Sequence, residues 1–131
     1  MSEEPKKPIA LLVDDDRFLL DMYSLKFSKG GLSVVAACGS KEALQHLRDG
    51  LVPDVMVLDI IMPTMDGLEL LGVIRKENLA SKATVIMLTN QSQSSEIEKA
   101  KQLGVDGYIV KATTIPSEVL SEVKNIMSNK R

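Results

Sequence analysis

"VLDIIMPTMDG", residues 57–67, decides how this chain is organised. It opens inside a continuous apolar run, 55–60, the pattern of a strand buried on both faces. It then passes through Pro63, Met65, Asp66 and Gly67 into a helical pattern carried by Leu68, Leu71 and Ile74. A carboxylate inside such a run is costly to bury unless something answers its charge. Asp59 therefore marks the end of this strand as a place where chemistry is held.

The same alternation recurs on both sides of that stretch. Further apolar runs stand at 9–13 ("IALLV"), 33–38 ("SVVAAC"), 84–89 ("TVIMLT") and 108–110 ("YIV"), again continuous rather than alternating. Between them lie helical patterns. The first, 17–29, carries Phe18, Met22 and Leu25 at helical spacing and stops at Gly30 and Gly31. The second follows Ser40, a good N-cap, with Ala43, Leu44 and Leu47. The third begins near Asp66. The fourth, "SSEIEKAKQLG", sets Ile97, Ala100 and Leu103 on one face and ends at Gly104, and the fifth opens at Pro116 with Val119, Leu120, Val123 and Ile126 inward. Strands alternating with helices predict parallel crossovers and an α/β sheet covered on both faces. The polar residues 1–7 read as a flexible lead-in and 129–131 as a tail, which leaves 8–128 as one domain.

Composition removes several function classes. Sixteen basic against eighteen acidic residues, with no basic face interleaved with aromatics, argue against direct nucleic-acid binding. The single Cys38 forms no internal disulfide and no zinc knuckle, which fits a reducing cytoplasmic setting. The acidic start and short first apolar run match neither a signal peptide nor a membrane span. Phosphate-cradling glycine loops, HExxH and GxSxG are absent, and the lone His46 sits in a polar helical pattern as a surface residue.

In a parallel sheet, ligands sit beyond the carboxyl ends of the strands. Asp14, Asp15 and Asp16 end the first strand, Asp59 the third, Thr89 the fourth and Lys111 the fifth. Three converging carboxylates would force at least one pKa upward without a counter-charge. Mg²⁺ suits them because it takes a few carboxylates and keeps waters or substrate oxygens. Lys111 adds a point charge suited to a phosphate-like anion. A metal, a carboxylate nucleophile, a hydroxyl and an ammonium together make a set for phosphoryl transfer.

"LLVDDD", "VLDIIMPTMDG", "MLTN" and "GYIVK", in this order and spacing, resemble the receiver domains of two-component response regulators. The resemblance runs from Ile9 to about Met127. It implies a flavodoxin-like, doubly wound, five-stranded parallel sheet of order 2-1-3-4-5 in three layers. It implies that Asp59 accepts a phosphoryl group from a histidine kinase's phosphohistidine. Asp15 would bind Mg²⁺ directly and Asp14 largely through water, with Asp59 and the Ile61 carbonyl as further ligands. Thr89 and Lys111 would bind phosphoryl oxygens, and Tyr108 would be the switch aromatic. The partners implied are a sensor histidine kinase or phosphotransfer protein and a downstream target on helix four, strand five and helix five, with no membrane involved. Such a domain catalyses only its own phosphorylation and dephosphorylation. The competing reading is a receiver-like interaction scaffold that works without phosphorylation.

Simpler readings stand beside these. Asp16 and Asp66 fit helix N-caps better than site ligands. Thr89 suits a strand on propensity alone, Lys111 a surface, and Tyr108 static packing. The chain also departs from the family pattern. Ala112 replaces the usual proline after Lys111, which predicts a trans 111–112 bond. Asn90 replaces a small residue after Thr89. Ile61 and Gln91 flank the path of the hydrolytic water in this family, and an apolar Ile61 predicts a long-lived aspartyl phosphate.

Overall fold

The computed structural model describes residues 7–90, 94–111 and 114–130. Residues 1–6 of the lead-in, Gln91, Ala112 with its bond to Lys111, and Arg131 lie outside the described residues. The elements follow one another as β1 (Ile9–Val13), α1 (Arg17–Lys29), β2 (Ser33–Ala37), α2 (Ser40–Arg48), β3 (Val55–Asp59), α3 (Gly67–Lys76), β4 (Thr84–Thr89), α4 (Ser94–Gln102), β5 (Gly107–Val110) and α5 (Pro116–Asn129). All strand pairs are parallel and the sheet order is β2-β1-β3-β4-β5. This is the flavodoxin-like order that the resemblance implied.

The chain order reverses between β1 and β3, so the crevice beyond their carboxyl ends is the topological switch point. One core cluster joins the sheet to α2, α3 and α4, and the other joins it to α1 and α5. The three layers follow from that division. β1, β3 and β4 are buried along nearly their whole length, because they have neighbours on both sides and helices on both faces. β2 differs from the expectation of a strand buried on both faces. Its Ser33 and Ala36 are exposed, because an edge strand lacks a second neighbour.

The face of α1 also differs from the sequence reading. Leu20, Tyr23 and Phe27 are buried, whereas Phe18 and Leu25 are 75% and 60% exposed. α1 carries apolar residues at helical spacing along two stripes, and periodicity does not choose between them. Docking against the sheet and α5 makes the choice.

Two helix starts show how local chemistry sets the site loops. Asp66 accepts a bond from Glu69 N at 2.8 Å while the Glu69 carboxylate receives Asp66 N, a complete capping box at α3. Ser40 is no N-cap. It is the first residue of α2, and its hydroxyl instead donates to the Met65 carbonyl at 2.8 Å, tying α2 to the loop after β3. At the other end of the molecule α5 continues through Asn129, and Lys130 Nζ donates to the Ala83 carbonyl at 2.8 Å.

Candidate functional site

Asp14 follows β1 directly and is 4% exposed. Its backbone N–H donates to the Ala37 carbonyl on β2, Oδ1 accepts Asp16 N at 2.9 Å, and Oδ2 accepts Lys111 Nζ at 2.7 Å. The burial cost of this carboxylate is thus met by two donors, one of them charged. Asp16 turns away, because its side chain caps α1 by accepting Leu19 N at 3.2 Å. Asp15 stands exposed between the two. The three consecutive acids therefore divide into a buried acid, an exposed acid and a helix cap.

Asp59 is the last residue of β3 and 6% exposed. Its Oδ2 lies 3.5 Å from Lys111 Nζ, so one ammonium, itself 5% exposed, serves two buried carboxylates at unequal distances. One carboxylate oxygen from each of Asp14, Asp15 and Asp59 lies within 4.8 Å of the others. Burial is the main cause that pushes the Asp59 carboxyl up to about 7; Lys111 pulls it down and Asp14, then Asp15, pushes it further up. For Lys111 burial works against the charge, but the bond to Asp14 and the negative charge of Asp59 outweigh it and hold the ammonium above its usual value. Three acids facing one base leave room for further positive charge. An all-oxygen donor set of that kind fits a hard divalent cation.

Thr89 ends β4 and is completely buried, and its hydroxyl has no hydrogen-bond partner among the described residues. Such a group costs about 1–3 kcal/mol, which needs a compensating role. β4 neighbours β3 in register Leu58↔Met87 and Asp59↔Leu88, so Thr89 follows directly on the residue paired with Asp59. Tyr108 stands on β5, the edge strand next to β4. It is half-buried on β5 against the α2–α4 side of the core, and burial first and the Glu96 charge second raise its phenol. Ile61 is 62% exposed and Asn90 is also exposed, both on loops that leave the strand ends beside Asp59 and Thr89.

Two features were less visible in the sequence. Gly67 packs against the acceptor strand itself: a Cβ there would collide with the Asp59 carbonyl oxygen and reach 3.0 Å from Ile60 Cα. Its N–H donates to the Ile60 carbonyl at 2.7 Å. The "MDG" turn signalled a helix start, but not this close approach. Tyr23, which the periodicity of α1 did not single out, lies buried on the α1 side of the Asp14–Lys111 pair. The signal was faint: two of only four aromatic residues stand four apart, Tyr23 and Phe27.

Comparison with known proteins agrees with this geometry. The response regulator receiver domain family matches residues 10–124. The chain is 30% identical over 117 residues to the alkaline phosphatase synthesis transcriptional regulatory protein PhoP of Bacillus subtilis, covering 89% of this chain and 47% of that protein. Its fold is similar to that of the Vibrio cholerae chemotaxis protein CheY4, with a TM-score of 0.85, 26% identity, and coverage of 92% of this chain and 99% of that one. A response regulator from Chloroflexus aurantiacus gives a TM-score of 0.81 at 32% identity, covering 94% and 99%. The chain spans about half the length of the curated relatives it matches. With the family matched across most of its length and the acidic cluster at the strand ends, this chain belongs to the response regulator receiver domains of two-component signalling.

Proposed function

We propose that this receiver is a phosphorylation-dependent switch in which Asp59 accepts a phosphoryl group from the phosphohistidine of a sensor histidine kinase or phosphotransfer protein. The observation that carries the reading is the buried, unpartnered Thr89 hydroxyl at the end of β4, one residue beyond the strand partner of the buried Asp59. A phosphoryl oxygen on Asp59 would give that hydroxyl the acceptor that no described residue provides. In the transfer, an Asp59 oxygen forms the new bond to phosphorus as the bond to the histidine nitrogen breaks, and the nitrogen keeps its electron pair. Lys111 then moves its charge from Asp14 toward the phosphoryl oxygens.

Asp15 would hold Mg²⁺ directly, with Asp14 through water and Asp59 and the Ile61 carbonyl as further ligands. Bound there, the ion would neutralise charge on the transferring group and on the acids. Tyr108 would respond when Thr89 turns to the phosphate, carrying the change to α4, β5 and α5, where a protein target binds. The exposed Ile61 would shield the acyl phosphate from water. Among the described residues no helix is long and apolar enough to cross a membrane, and a cytoplasmic setting suits the kinase partner. The unit proposed to switch spans 8–128 with short flanks, and its only catalysis is on its own aspartate.

The test is incubation with Mg²⁺ and acetyl phosphate or beryllofluoride. We expect an acid-stable, base-labile adduct, or a spectral shift, that disappears in Asp59→Asn. No adduct with any donor would favour the phosphorylation-independent scaffold instead.

A further inference from the structure

Asp14 depends on Lys111 in the arrangement described. If Lys111 leaves for a phosphoryl oxygen, Asp14 keeps Asp16 N on Oδ1 but loses the 2.7 Å donor on Oδ2 while 4% exposed. A buried carboxylate oxygen that loses a charged donor is expensive unless another donor replaces it. Besides a water shared with bound Mg²⁺, one side chain of the fold is a candidate close by. A cavity of about 10 Å³, roughly one water-sized sphere, lies beneath Asp14 between α1 and the sheet. Leu12, Leu20, Phe27 and Val57 help to wall it, and of all its lining residues only Asp14 and Tyr23 have polar side chains.

Tyr23 lies on the buried face of α1 and lines this cavity together with Asp14. The N-terminus of α1 follows directly on the acidic loop, and helical side chains lean toward the N-terminus of their helix. Tyr23, in the second turn, lines the same cavity as Asp14, and that lean favours its phenol facing the acid. Its ring meets Phe27 edge to face, with centroids 6.5 Å apart and planes at 77°, beside the cavity. Burial is the largest influence on this phenol, and the charges of Lys111, Asp14 and Asp59 all act on it as well, which puts the three within electrostatic reach.

We propose that Tyr23 is a positioning residue for phosphorylation: its hydroxyl becomes the donor to Asp14 when the Lys111 ammonium transfers to the phosphoryl group. The relay rests on the function proposed above. It removes part of the penalty for moving Lys111, and so favours the phosphorylated arrangement without touching the phosphoryl group. The hydroxyl should matter little while Lys111 still holds Asp14.

Tyr23→Phe removes only the hydroxyl and keeps the ring against Phe27. Three quantities are read on the full chain: the thermal midpoint, the Mg²⁺ affinity without phosphoryl analogue, and the beryllofluoride affinity at saturating Mg²⁺. The expected result is an unchanged midpoint, an unchanged Mg²⁺ affinity, and a beryllofluoride affinity lowered about ten- to hundredfold, the range for a hydrogen bond to a charged group. A purely packing role would move the midpoint and not that split. Equal beryllofluoride affinity in variant and parent overturns the proposal, as does an equal loss of Mg²⁺ affinity. A parent protein with no Asp59-dependent adduct overturns the function itself, and the relay with it. As a second readout, the near-ultraviolet tyrosine band of the parent minus that of Tyr23→Phe isolates Tyr23; beryllofluoride should shift this difference and Mg²⁺ alone should not, and no shift with beryllofluoride overturns the relay.

Discussion

The Lys111 ammonium stands 2.7 Å from Asp14 Oδ2 and 3.5 Å from Asp59 Oδ2, one buried cation shared unequally by two buried acids. The resting site is held together by this charge, and the same charge is what a phosphoryl group would redirect. Removing it leaves two carboxylates facing each other without an internal counter-ion. Lys111→Met should cost about 3 kcal/mol in metal-free buffer, in the range for breaking a buried pair. Added Mg²⁺ should recover part of that loss, because a cation on the same carboxylates replaces the missing charge. Urea denaturation with and without Mg²⁺ measures both, and a loss indifferent to Mg²⁺ would count against the site.

Asp59 also makes stability depend on pH. Its carboxyl is raised from 3.8 to about 7, chiefly by burial. Between those values the folded protein holds a proton that the unfolded chain has released. Its contribution to stability is therefore full below the unfolded value and is lost as the pH rises through the folded one. Asp59→Asn escapes the loss. Its advantage over the parent in metal-free buffer should be on the order of 1–3 kcal/mol above about pH 7 and should fade toward pH 4. Denaturation midpoints across that range decide the point; an advantage that grows on acidification would contradict the sign.

Thr89 sets stability against function. Replacing its unpartnered hydroxyl with a methyl of similar shape, Thr89→Val, should raise stability by about 1 kcal/mol. The same change should weaken beryllofluoride binding about tenfold. Calorimetry and a fluorescence titration would show the two effects moving in opposite directions, and a variant that binds as well as the parent would remove Thr89 from the site.

Gly67→Ala should destabilise the fold by about 2–4 kcal/mol, because its methyl meets the Asp59 carbonyl and the backbone of β3 has no room to withdraw. Circular dichroism melts would measure it. A neutral effect would mean that the loop after β3 yields more easily than its packing indicates.

The acidic triplet separates by role. Asp16→Ala should cost about 1 kcal/mol through the lost α1 cap, and Asp16→Asn should keep both the cap and the adduct. Asp15→Asn should lose the Mg²⁺-dependent adduct with little change in the melting temperature, since Asp15 is exposed. Isothermal titration with Mg²⁺ on both variants compares them directly, and equal losses would erase the distinction.

Much of this architecture was legible because its signals are local. The apolar run around Asp59 with "MDG" beginning six residues after it, the cap residues Asp16 and Asp66, and the order of strand-ending acids, hydroxyl and lysine all survive into the fold. Signals that depend on what an element docks against were not legible. Phe18, Met22 and Leu25 form as good a helical stripe as Leu20, Tyr23 and Phe27, and only contact with the sheet buries the second. Ser40 has the chemistry of an N-cap, yet its hydroxyl went to Met65, a residue 25 positions away.

The sequence by itself determined the element order, the parallel sheet and which side chains gather at its carboxyl edge, because apolar runs, helical spacing and turn chemistry act over a few residues. Tertiary structure alone decided how those side chains pair. Lys111 meets Asp14 across 97 positions of chain and Tyr23 comes to lie under the pair, since the choice of partner depends on burial and on which charges the closed sheet brings within a few ångströms.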